Sequence, residues 1–216
     1  MNRFIRSTAT VVLAAALLPL VPSGSARSQQ AASPSPVYRV ELLVFRATTA
    51  LGGAENWGAR SDARSSGANG ESSAAQASAQ IGRFSRALGP AELQLREVAT
   101  RLRASGTYEP VAHVGWMQSA SDWGTRAGFS VGRLGIHVRG LSGTVFLERG
   151  QFLHLGLTLN YEMAQPPEGI GAGPGTVFHL DESRRVRFYE RNYYDHPAFG
   201  VIALVTPAQG SRRTGR

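Results

Sequence analysis

Cysteine is absent from the 216-residue chain. No disulfide can staple the fold, no thiolate can hold a metal or attack a substrate, and no cysteine is available for lipid attachment after export. Lysine is absent too, so all 23 basic residues are arginine. A GC-rich coding sequence also produces that bias, so the arginine count alone argues no function. Past residue 21 no apolar run approaches the length of a membrane span. Several catalytic signatures that can be recognised by spacing are missing as well. There is no SxxK, no Walker sequence, no HExxH and no HxH.

What is present begins with MNRFIR, a cationic start, followed by the apolar TATVVLAAALLPLV and the small residues GSA. This is the pattern of a secretory signal peptide over residues 1–26, cleaved near Ala26. Loss of Arg3 and Arg6 takes the net charge from +8 to +6. A basic exported protein suits anionic partners such as phospholipid, lipopolysaccharide, cell-wall carboxylates or an acidic protein; nucleic acid fits the charge but not the compartment. No integral membrane segment is expected after cleavage, and the expected location is the periplasm.

A Ser/Pro/Gln-rich leader occupies residues 27–36, and VYRVELLVF then reads as a strand that opens a single domain over 37–207. Residues 48–82, dominated by Ala, Ser and Gly, cannot offset their own ordering entropy and read as a disordered insertion. One helix is expected in LGPAELQLREVATRLRASG. Pro90 and Glu92 suit its first turn, Gly106 its left-handed cap, and Ala91, Leu95, Val98 and Leu102 form one stripe. YEPVAHVGWMQ reads as a second strand, whereas residues 119–140 lose pattern. LSGTVFLE and QFLHLGLTLNYEM form a hairpin about Arg149-Gly150. Leu153, Leu155, Leu157, Leu159 and Tyr161 lie on one face, with Phe152, His154, Thr158 and Asn160 on the other. TVFHLDESRRVRFYERNYY and AFGVIALVTP supply the last strands, and a basic tail fills 208–216. The sum is α+β: a mostly antiparallel sheet with one helix on a face. The apolar first and last strands lie centrally and side by side, as in ferredoxin-like arrangements.

Within NYYDHPAFG, Asp195 and His196 are adjacent. Neighbouring side chains on an extended segment point to opposite faces, so a catalytic acid–imidazole pair is disfavoured. Asp195 and Pro197 instead fit a structural turn, with Asp195 bonding backbone amides ahead of it, while His196 can face a ligand. His113, His154 and His179 could meet across strands as a zinc site; a structural or surface role is the simpler alternative, and no metal or other cofactor is expected. In SRRVR, alternation puts Arg185 and Arg187 on one face as anion hooks, and Arg184 with Val186 and Phe188 on the other. The alternative is a solvated face paired with Glu182 or Glu190. Trp116, Phe152 and Tyr193 could stack on a sugar ring or belong to the core. Trp57 and Trp123 fall in stretches without pattern.

VELLVF, RLRASGTYEPVAHVGWMQ, LSGTVFLERGQFLHLGLTL, SRRVR and YYDHPAFGVIALVTP, in this order, resemble the CsiV family of periplasmic peptidoglycan-binding proteins of Gram-negative envelopes. The chain departs from that pattern at Gln151, Asn192 and Tyr194, where the family tends to carry arginine, histidine and an apolar residue. The resemblance implies a non-enzymatic protein that binds peptidoglycan and supports cell-wall synthesis with the outer-membrane lipoprotein activator of a bifunctional penicillin-binding protein. Arg184, Arg185, Arg187, His154, Phe152, Trp116 and His196 are the candidate contacts. A protein–protein adaptor without wall contact, and an envelope hydrolase or metal-dependent enzyme of unfamiliar type, are the alternatives.

Overall fold

The computed structural model describes residues 35–49 and 80–208. The expected signal peptide, nearly all of the expected leader, Trp57 with most of the expected insertion, and the tail beyond Ala208 lie outside the described residues. The insertion is narrower than its composition suggests at both margins. The Thr48 N–H donates to Thr107 O at 2.9 Å, and the Gly82 N–H donates to Ser121 Oγ at 2.8 Å, so both belong to the folded part.

Two sheets carry the fold. The first is built from β1 (Val37–Ala47), β2 (Phe84–Ala87), β3 (Tyr108–Ser119), β9 (Arg191–Asp195) and β10 (Phe199–Pro207), in the order β2-β3-β1-β10-β9. The second joins β4 (Ser121–Asp122), β6 (Leu141–Arg149), β7 (Leu153–Met163) and β8 (Thr176–Arg185), with β5 (Gly128–Ser130) also paired to β6. All pairings are antiparallel except β4 with β6. As the apolar patterns of both segments suggest, β1 is central and β10 lies beside it, with Val40 opposite Val205 and Leu42 opposite Ala203. A ferredoxin-like arrangement is not what forms. That fold needs one sheet and two helices, and here a second sheet covers one face of the first.

The core lies between the sheets. Val40, Leu42 and Val44 of β1 and Val201, Ala203 and Val205 of β10 meet Leu153, Leu155, Leu157, Leu159 and Tyr161 of β7 in one buried cluster. The period-two alternation of β7 therefore marks its buried face as expected. On the other face of the first sheet, Leu43 and Leu204 are covered by Leu95, the residue that caps the start of α1 (Arg96–Ala104), and by Ala99 of the helix, with Val98 and Leu102 packed alongside. The helix starts later than its sequence suggests. Pro90–Glu92 makes a separate 3-10 turn, so Ala91 is exposed and does not join the stripe. Glu92 bonds the Gly89 N–H and the Arg86 guanidinium. The contact with Arg86, then the Gly89 amide, holds its carboxyl down at about 2. Gly106, at φ 69, ends the helix in the left-handed conformation expected of it.

Residues 119–140, patternless in sequence, supply β4, β5 and turns whose Phe129, Val131, Leu134 and Ile136 enter the core. The segment TVFHLDESRRVRFYERNYY is not one strand. β8 ends at Arg185, and Tyr189, at φ 66, reverses the chain before β9. Val186 still turns inward and is buried, its N–H donating to Leu153 O at 2.9 Å.

Candidate binding surface at the hairpin end

The β6–β7 hairpin brings Arg149, Gln151 and Phe152 to one end of the two-sheet body, and the register places His154 of β7 opposite Glu148 on one side and Arg185 on the other. The outer face of the second sheet begins here. Phe152 is exposed, and the Arg185 guanidinium lies 3.4 Å from the centre of its ring. Planar stacking of this kind fixes the orientation of the guanidinium while leaving its edge donors to solvent. Arg185 has no carboxylate partner among the described residues.

On the other flank of His154 stands Trp123. Its ring centre is 4.3 Å from that of His154, and the side chain is 57% exposed. A buried carboxylate holds the loop that presents it. Glu148, 2% exposed, accepts the Arg126 N–H and, at 3.3 Å, the Thr125 hydroxyl. Arg126 takes φ 47, an uncommon value for a residue with a side chain, and its guanidinium spans from Asp181 at 2.6 Å to the face of Phe146 at 4.7 Å. Phe146 in turn fills the space over Gly156, where a Cβ would sit 2.0 Å from the ring. A run of Trp123, His154, Arg185 and Phe152 results: two exposed aromatic platforms, an imidazole whose Nδ1 is buried without a hydrogen-bond partner among the described residues, and one uncommitted cation.

The other expected site residues are dispersed. Trp116 is fully buried and its indole N–H donates to Gln118 Oε1 at 2.6 Å, so no ring face reaches solvent and the sugar-stacking role is excluded for it. Arg184 pairs with Glu182 and lies 5.6 Å from the centre of the Tyr194 ring, and Arg187, beyond the end of β8, pairs with Glu190 at 3.5 Å. Arg185 and Arg187 therefore do not form a twin hook, because the strand on which alternation would align them has already ended. His196 packs against Phe178 and Phe199, and burial pushes its imidazole below the ordinary range. Asp195 and His196 are a corner between β9 and β10, closed by His196 N–H to Phe199 O at 3.0 Å and the reverse bond at 3.2 Å. The chemistry of that corner differs from expectation in one respect. The His196 Nδ1, not the Asp195 carboxylate, accepts the amide ahead, from Ala198 at 3.2 Å, while Asp195 accepts the Tyr193 hydroxyl. His113 sits on the first sheet, 2.6 Å from Glu41, away from His154 and His179 on the second, so the cross-strand zinc set is not assembled. Among the described residues no cluster of three or more His, Asp or Glu is placed to hold a metal ion.

Of the three departures from the family pattern, Asn192 is half-buried and donates to Glu190 O at 3.1 Å, and Tyr194 is internal. It is fully buried, with its hydroxyl donating to Leu155 O at 2.8 Å, and burial raises its phenol well above the ordinary range. Gln151, in contrast, lies at the hairpin tip in the open. Trp123 is the member of the run that sequence reasoning left unassigned. Its signal was an aromatic residue followed by Gly-Thr where neither helical nor strand period offers it a buried position.

Among the described residues no helix is long and apolar enough to cross a membrane. No match to the chain is found among curated proteins or among solved structures. The family described as "Peptidoglycan-binding protein, CsiV" matches residues 10–208, which takes in every strand above. The chain belongs to the CsiV family of peptidoglycan-binding proteins.

Proposed function

We propose that the protein is a non-catalytic periplasmic protein that holds peptidoglycan on the Trp123–His154–Arg185–Phe152 surface. In doing so it supports cell-wall synthesis together with the outer-membrane lipoprotein activator of a bifunctional penicillin-binding protein. The observation that carries the reading is the Arg185 guanidinium stacked on Phe152 and free of a carboxylate partner among the described residues, beside the exposed Trp123. Peptidoglycan offers complements to both elements. Its pyranose faces are apolar and stack on aromatic rings, and its stem peptides carry carboxylates that a guanidinium takes in bidentate fashion.

The test is co-sedimentation of the protein with purified sacculi across a salt series, with Arg185→Ala and Trp123→Ala variants. Pelleting that weakens as salt rises, and falls about tenfold or more in the double variant, is expected from loss of one charge-assisted contact and one stacking platform. Unchanged pelleting of the double variant would remove the site from this surface, and no pelleting at low salt would remove wall binding from the protein.

A further inference from the structure

A concavity beside the same hairpin has different chemistry. It is a groove of about 740 Å3, floored by Val37, Tyr38, Met117, Leu153, Phe188 and Pro207, with Arg149 reaching into it. Its volume is within the range of small-ligand pockets, roughly 300–1,000 Å3. Two of its aromatic side chains are already ordered against each other, Tyr38 and Phe188, with ring centres 5.9 Å apart. Phe188 is 44% exposed and is carried on the turn that Tyr189 closes at positive φ. A backbone conformation of that kind costs free energy, and such conformations cluster at ligand-contacting turns.

The groove is a poor fit for a glycan. A polyhydroxylated ligand is held by side-chain carboxylates and amides that satisfy its hydroxyls, yet no Asp, Glu, Asn or His lines the groove, and Gln151 is its one amide. Its polar anchor is cationic. Arg149 spends one donor on the Tyr38 hydroxyl, at 2.6 Å, and has no carboxylate partner among the described residues. An apolar trough with an uncompensated guanidinium matches one ligand chemistry: an apolar chain ending in an anion.

We infer that this groove binds a single-chain anionic amphiphile, its hydrocarbon chain lying along Val37, Met117, Leu153 and Phe188 and its phosphate or carboxylate head on Arg149. The groove borders the wall-binding surface at Phe152, which lines it. Its anion contact is nonetheless its own: Arg149, and Ser85, which lines the groove from the short strand β2, take no part in the Trp123–His154–Arg185–Phe152 run.

Titration calorimetry of the purified protein with dodecyl phosphate below its micellar concentration provides the test, with dodecanol, inorganic phosphate and dodecanoate as further probes. Saturable one-to-one binding is expected for dodecyl phosphate and dodecanoate. Arg149→Gln weakens it about tenfold, the loss of one charge-assisted contact, and Ser85→Trp, which fills the groove from an exposed position, abolishes it. Both variants keep the sacculus pelleting of the parent, which shows that they are folded and that wall binding does not run through Arg149 or the groove. Dodecanol binding as tightly as dodecyl phosphate would overturn the role of Arg149, and inorganic phosphate binding equally well would overturn that of the chain. Binding to phosphatidylglycerol vesicles but not to monomeric amphiphile would make the groove a membrane contact and overturn the inference. So would a dimer that Ser85→Trp splits, because the occupant would then be a second copy.

Discussion

Replacing Glu41 by alanine removes the group that pins α1 to the first sheet. The helix has no side-chain cap of its own. Instead the Glu41 carboxylate, on the middle strand beneath it, accepts the Gln94 N–H at 2.8 Å and the Leu95 N–H at 2.7 Å, and meets His113 Nε2 at 2.6 Å. Only 5% of that side chain is exposed. Burial pushes the carboxyl upward, but the His113 contact and the two amides outweigh it and hold the group below its ordinary value of 4.5. Breaking a buried pair by deleting one partner costs about 3–5 kcal/mol, because the remaining donors stay buried and unsatisfied. For a domain of this size 1 kcal/mol moves the melting temperature by roughly 2–4 °C, so Glu41→Ala lowers it by about 10 °C. A carboxyl that is more acidic folded than unfolded contributes fully above pH 4.5 and loses that contribution as pH falls through its lower folded value. The parent therefore sheds stability below about pH 4.5, whereas Glu41→Gln, already lacking the charge, shows a flatter acid limb. Thermal melts from pH 3 to 7, with hydrogen exchange at α1, measure both effects. A melting temperature within 2 °C of the parent, or parallel acid limbs for Glu41→Gln and the parent, would refute the clamp.

Gly156→Ala places a methyl 2.0 Å from the Phe146 ring. Overpacking of this kind costs about 1–3 kcal/mol and displaces Phe146 from beneath Arg126, so chemical denaturation detects a loss of stability and sacculus pelleting weakens with the shifted Trp123 loop. Tyr194→Phe deletes a buried hydroxyl that donates to Leu155 O. About 1 kcal/mol is lost in urea unfolding, with pelleting unchanged because the side chain never reaches the surface; a pelleting defect without a stability loss would contradict the buried assignment.

The β6–β7 hairpin was legible in sequence because its pairing is local and one face is buried, so hydrophobic alternation and the Arg149-Gly150 corner specify it together. The β1–β10 pairing was legible for another reason: both strands are apolar on both faces, which only a covered central position permits. Division of the strands into two sheets was not. β3 passes into β4 across the single residue Ala120, and nothing in local composition records that the chain changes sheets there. The late start of α1 follows from Glu92, whose side chain is drawn back to Gly89 and Arg86, so the chain closes a short turn before the helix begins. The candidate site was half visible. Phe152, His154 and Arg185 follow from strand alternation, but Trp123 is set over His154 by Glu148, a long-range carboxylate contact without sequence periodicity. Trp116 was misjudged because its alternation does not distinguish the core between two sheets from an open face.

The middle strand of the first sheet completes its ladder only with β10, from the opposite end of the described chain. Contacts that distant in sequence close slowly, since a long loop must lose its freedom before they form. A chain folding from its N-terminal side therefore keeps one edge of β1 unpaired until β10 is available. Topology alone delays completion of the fold, and until then that edge stays open to pairing with any other extended segment.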